Sequence, residues 1–96
     1  MSVLNQDRRD FVTMLAKVTA DIMALNANVI DGFAIEWWPV HESYSCTLYS
    51  HADGEKRGAR HMFNILQMTQ LLEPEMYLQD IITDMARTLC GATEAK

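Results

Sequence analysis

The chain has 96 residues, a hydrophobic fraction of 49% and a net charge of −5, from 13 acidic and 8 basic side chains. This length fits one domain. The acidic balance argues against sequence-independent binding to nucleic acid or to anionic membranes, both of which need a positive surface. The sequence contains no stretch of about eighteen apolar residues that would cross a membrane, and its first ten residues lack the apolar segment of a secretory signal. We therefore expect a cytoplasmic protein.

The first predicted element is a helix over residues 6–26. Its apolar residues recur at intervals of three and four, which is the period of one helical face. The residues that set this period are Phe11, Met14, Leu15, Val18, Ile22 and Leu25.

A β-hairpin follows, because the period changes from 3.6 to 2. Residues 33–38 and 44–49 each alternate between two faces, and Pro39 ends the first strand since proline cannot donate to a strand ladder. Phe33, Ile35 and Trp37 share the first strand's predicted core face. The dipeptide Asp31–Gly32 is typical of a tight turn, which leaves open whether residues 28–30 form a short extra strand.

Two further helices are predicted, over residues 55–72 and 74–90. Pro74 suits the first turn of a helix, and Gly91 is the expected terminator. The order is α-β-β-α-α, a two-layer α+β fold in which an antiparallel hairpin packs against helices. Residues 1–91 are expected to form one domain, and residues 92–96 a disordered tail.

No pattern of catalytic or metal-binding residues emerges. His41, His51 and His61 lack the paired spacing of metal ligands, so we expect neither a metal nor a cofactor. Cys46 lies on the predicted core face of the second strand, where burial makes a thiol unreactive, and Cys90 is also expected to be a buried free thiol. An enzyme, using Cys46 or a histidine, is therefore the least favoured class.

A basic cluster supports an alternative function. If residues 55–72 are helical, the spacing of Arg57, Arg60 and His61 places them on one face near the helix start, next to Lys56. Such a cluster can bind a phosphate or another anion. An anion-binding or nucleic-acid-binding module therefore remains the alternative hypothesis.

The adjacent Trp37 and Trp38 are the most informative feature. Neighbouring strand residues point to opposite faces, so Trp38 lies opposite the core face, with Glu36 and Tyr49, where it is either exposed at an interface or buried under a helix that covers this second face. An exposed tryptophan beside a tyrosine is typical of an interface anchor. Tyr77 and Ile81 flank the apolar seam of the last helix and complete the predicted partner-binding set.

These features favour a small acidic protein–protein interaction module that acts by binding and not by catalysis. An inhibitor, an adaptor and a regulatory subunit all fit this class. We expect a homodimer, because a two-fold contact covers the apolar surface that one hairpin and three helices leave open.

Overall fold

The computed structural model describes residues 3–52 and 54–94, and it confirms the α+β class with a hairpin packed on helices. The elements are α1 (Val3–Leu25), β1 (Ile30–Trp38), a 3-10 turn (Pro39–His41), β2 (Ser43–Ala52), β3 (Glu55–Asn64), the one-turn α2 (Ile65–Met68) and α3 (Pro74–Glu94). The three strands form one antiparallel sheet in the order β1-β2-β3. Among the described residues, no helix has the length and apolar character needed to cross a membrane.

The predicted hairpin is present with the predicted faces. β1 pairs with β2 so that Ile35 lies opposite Cys46 and Trp37 opposite Tyr44. These residues face the helices, and the guanidinium of Arg8 in α1 lies 4.0 Å from the ring of Trp37. The register shifts between Ile30 and Gly32, so the sequence around Asp31–Gly32 forms a strand irregularity and not the turn that it favours.

The prediction of a helix over residues 55–72 is wrong for its first ten residues, which form β3. Gly54 has a φ of +80°, a conformation that glycine adopts without strain and that a tight hairpin connection requires. The dipeptide Asp53–Gly54 is itself a strong hairpin signal. Every residue of β3 pairs with a residue of β2, from Ala52 opposite Glu55 to Ser43 opposite Asn64. Helical structure resumes only at α2, where Asn64 Oδ1 accepts a hydrogen bond from the backbone N–H of Gln67 at 3.0 Å.

The core lies between the inner face of the sheet and the helices α1 and α3. Its most completely buried large side chains come from all three strands and from the three helices. They are Leu15, Ile30, Leu48, Phe63, Ile65, Leu78 and Ile82.

The end of α3 differs from the prediction as well. The helix continues through Gly91 to Glu94, and residues 95–96 of the expected tail lie outside the described part of the chain. Leu89 is buried in the core and holds the last turns in place. Gly91 is exposed with no neighbour close to it, and a glycine in such a position costs only about 1 kcal/mol relative to alanine.

Candidate protein-binding surface

In the part of the chain that the structure describes, no helix or further strand covers one face of the sheet. The helices α1 and α3 pack on the inner face, so alternate residues of every strand point away from them. We call the surface formed by six of these residues the outer sheet face. Its members are Glu36, Trp38, Tyr49, Lys56, Arg60 and Met62.

The side chains of the edge strands cover the polar centre of this face. On β2, Ser45 is fully buried and Thr47 is 9% exposed, although no helix lies above them. The long side chains of β1 and β3 exclude water from these two residues, since cross-strand neighbours on one face lie within contact distance. The outer sheet face is therefore a packed surface and not a row of independent side chains.

Trp38 is held in place on this face while 38% of it stays exposed. Its indole Nε1–H donates a hydrogen bond to Ser45 Oγ at 3.0 Å. The guanidinium carbon of Arg60 lies 5.4 Å from the indole ring centroid, within cation–π range. These two contacts fix the ring before any partner arrives, which reduces the entropy lost on binding.

A second aromatic–cation pair lies along the same face. Lys56 Nζ is 4.2 Å from the ring centroid of Tyr49, and Arg60 Nη2 lies 3.9 Å from the sulfur of Met62, which is 38% exposed. Within residues 3–52 and 54–94, neither Lys56 nor Arg60 forms an ion pair with a carboxylate. The face therefore combines exposed apolar area with two cations that have no carboxylate partner among the described residues.

The predicted partner-binding residues fall on two separate surfaces. Glu36, Trp38 and Tyr49 share the outer sheet face, as the alternation predicts. Tyr77 and Ile81 lie on α3, half-buried on the other side of the sheet. There Tyr77 packs edge-on against the ring of Phe63, with 6.4 Å between centroids.

The predicted basic cluster does not form on one face. Because β3 is a strand, its successive side chains alternate between the two faces. Lys56 and Arg60 point outward, whereas Arg57 and His61 point toward the helices. Arg57 Nη2 lies 3.4 Å from Glu55 Oε2, and the His61 ring is 4.7 Å from the ring of Phe63.

The two cysteines are free, and Cys46 is fully buried in the core as predicted. Burial raises the pKa of the Cys46 thiol, and the hydrogen bond with Thr19 opposes that rise only in part. Thr19 Oγ1 lies 3.5 Å from Cys46 Sγ. The half-buried Cys90 has its sulfur 3.7 Å from Asn26 Oδ1, the acceptor of its weak hydrogen bond. Cys46 therefore lacks the accessible surroundings that activate a nucleophile, whereas the expectation that Cys90 is also fully buried is wrong.

The histidines lie far apart in the fold. His41 is in the 3-10 turn, and His51 on β2 pairs through Nδ1 with the carboxylate of Asp31 on β1. His61 is on β3. Among the residues that the structure describes, no three histidine, cysteine or acidic side chains come together in a way that would hold a metal ion.

Comparisons with protein-family models, with curated proteins and with solved structures give no match for this chain.

Proposed function

We propose that this protein acts by binding another protein through the outer sheet face, as an inhibitor, adaptor or regulatory subunit. The observation that carries the proposal is the state of Trp38, which is fixed by Ser45 and Arg60 yet more than a third exposed. A rigid, partly exposed tryptophan on a packed surface is typical of the residues that dominate binding energy. Lys56 and Arg60 have no carboxylate partner among the described residues, so they favour a partner protein that carries carboxylates beside its apolar patch.

A second copy of the chain is the partner that we favour. Glu36 lies on β1 and Arg60 on β3, the two edge strands of the sheet. A two-fold axis parallel to the strands stacks β1 of one copy over β3 of the other. Glu36 then faces Met62 of the second copy, which lies two residues along β3 from Arg60. The face is therefore complementary to itself in charge, as a two-fold contact requires.

The size of the face sets the strength of this contact. Three strands of nine or ten residues present a surface of about 30 Å by 15 Å, on the order of 450 Å² per copy. This is roughly half of the area that each partner contributes to a standard interface. The expected homodimer is therefore weak and depends on concentration.

Exchange of Trp38 for glutamate should abolish the self-association. We expect light scattering of the wild-type chain to rise from one toward two chain masses between about 10 µM and 1 mM, the range of a weak contact. The Trp38→Glu variant should stay at one chain mass, because it replaces the aromatic anchor of the contact by a charge.

Leu72→Glu is the matched control for this experiment. Leu72 is 99% exposed in the segment before α3, so the same charge enters at a site outside the proposed contact. Leu72→Glu should associate as the wild type does. A wild-type chain that stays monomeric at 1 mM, or a Trp38→Glu variant that still dimerises, contradicts the second copy as partner.

A second candidate function is the binding of single-stranded nucleic acid. The rings of Tyr49 and Trp38 lie beside the cations Lys56 and Arg60 on an antiparallel sheet. Nucleic-acid bases stack on aromatic rings placed in this way, and the cations attract the phosphates. The net charge of −5 opposes it. Titration of a labelled single-stranded oligonucleotide at low salt tests it directly, with Arg60→Ala as the weakened variant. An absence of binding by the wild-type chain removes this candidate.

A further inference from the structure

The free edge of β3 is a second surface that is suited to binding. Within the described part of the chain, β3 pairs only with β2, so one side of its ten-residue backbone is unpaired. Alternate residues of an edge strand direct their N–H and C=O groups away from the sheet, and these groups form hydrogen bonds with any strand placed alongside. The backbone geometry of this edge therefore specifies an extended chain as its occupant.

A groove of about 460 Å³ runs beside this edge, between β3 and α3. The residues from Gly58 to His61 form its strand side, and Ile81 and Met85 give it an apolar floor. Asp84 and Thr88 form the rim on the helix side, where both are exposed. Side chains from an added strand that point toward the helices would enter this groove, because strand side chains alternate between the two faces.

We propose that the edge of β3 and the groove beside it bind an extended peptide segment by strand addition. The backbone of the peptide continues the sheet as a fourth strand, and every second side chain enters the groove above Ile81 and Met85. This mode combines main-chain hydrogen bonds, which give affinity, with pockets for alternate side chains, which give specificity. The edge and the groove adjoin the outer sheet face and share Lys56 and Arg60 with it, but strand addition does not require the outer sheet face to bind a protein.

The charges around the groove define the chemistry of the peptide. Asp84 lies on the helix rim, where Arg87 Nη1 is 3.5 Å from its Oδ1 and both side chains are exposed to solvent. On the opposite side of the added strand, Arg60 and Lys56 project from β3 on the outer sheet face. A bound peptide therefore carries apolar side chains and a basic one toward the groove, and acidic side chains outward.

A second copy of β3 fits this groove poorly. The inward side chains of β3 are Arg57, Ala59, His61 and Phe63, and Phe63 is only 1% exposed because it belongs to the core of its own domain. It is therefore not available to fill the groove of a neighbour. A separate peptide has all of its inward side chains free.

Two synthetic peptides test the proposal. The first, Glu-Val-Glu-Lys-Glu-Val-Glu, places valines and a lysine inward when its glutamates point outward. The second, Lys-Val-Lys-Glu-Lys-Val-Lys, exchanges the two charges and keeps the apolar positions. Fluorescence anisotropy of the labelled peptides should give at least roughly tenfold tighter binding of the first. Lys56 and Arg60 favour its outward glutamates, and Asp84 favours its inward lysine.

The net charge of the chain makes this comparison decisive. Attraction to a chain of net charge −5 favours the lysine-rich peptide, whereas the groove favours the glutamate-rich one. Slower amide hydrogen exchange in alternate residues of β3 should accompany binding of the glutamate-rich peptide, because its backbone protects that edge. Equal or tighter binding of the lysine-rich peptide, no binding of either, or unprotected β3 amides overturns the proposal.

Charge reversal on α3 provides the matched variants. Asp84→Lys should weaken the glutamate-rich peptide about five- to tenfold, because a lysine then meets a lysine. Asp21→Lys makes the same change at an exposed position of α1 and should leave binding unchanged. An unchanged affinity in Asp84→Lys overturns the assigned position of the peptide's basic side chain.

Discussion

Replacement of Phe63 by alanine should lower the free energy of unfolding by about 3–5 kcal/mol, the usual cost of removing a buried phenylalanine. The ring is 1% exposed. It contacts Phe11 of α1 with 6.0 Å between centroids and Tyr77 of α3 with 6.4 Å. Its loss leaves a cavity between β3 and both long helices. Because a small domain has about 5–15 kcal/mol in total, Phe63→Ala should be partly unfolded at 37 °C, as measured by urea titration followed by circular dichroism.

The neighbouring Met62 is the control for this substitution. It points to the outer sheet face and is 38% exposed, so Met62→Ala should cost less than about 1 kcal/mol. The contrast between these adjacent positions follows from the alternation of a strand. Comparable losses in the two variants would contradict the burial of one side of β3.

The Cys46 thiol should react with a maleimide at least about a thousandfold more slowly in the folded chain than in urea. It is fully buried, so labelling requires an opening whose free energy approaches that of global unfolding. Mass spectrometry of the labelled chain measures the rate, and a Cys90→Ser variant isolates the signal of Cys46. Labelling of native Cys46 at the rate of the unfolded chain would contradict its burial and would revive a nucleophilic role.

Because the pKa of the Cys46 thiol is raised in the folded chain, this group should lower the free energy of unfolding at high pH. Above pH 9, the ordinary value for this thiol, the unfolded chain loses the proton of Cys46 while the folded chain still holds it. The folded state then binds more protons, so the free energy of unfolding falls as the pH rises, by at most about 1.4 kcal/mol per pH unit from this group. Below pH 9 the contribution of Cys46 is constant. The fall between pH 9 and 10 should be smaller in Cys46→Ala than in the wild type.

The sequence by itself determined the first helix, the last helix and the hairpin between them. In α1 the apolar period of 3.6 persists over many turns, and over residues 33–38 of β1 and 44–49 of β2 the alternation is uninterrupted. Such patterns predict the element correctly because each element buries one face, and the apolar residues must recur with its period. The same alternation separated Trp37 from Trp38 and placed Trp38, Glu36 and Tyr49 together on the outer sheet face.

The identity of β3 was decided by tertiary structure. Its residues fit a helical spacing and a strand alternation about equally well, and short segments of this kind are ambiguous in isolation. The free edge of β2 resolves the ambiguity, because pairing along ten residues satisfies backbone groups that a two-stranded hairpin leaves open. Asp53–Gly54 was the local signal in favour of this outcome.

This one change of element rearranged both candidate surfaces. As a helix, residues 57–61 would present Arg57, Arg60 and His61 together. As a strand, they place Arg60 beside Trp38 and direct His61 into the groove against α3. The sequence determined which side chains are available, but only the pairing of β3 with β2 decided which of them meet. The reason is that strand partners are distant in sequence, and a local period carries no information about them.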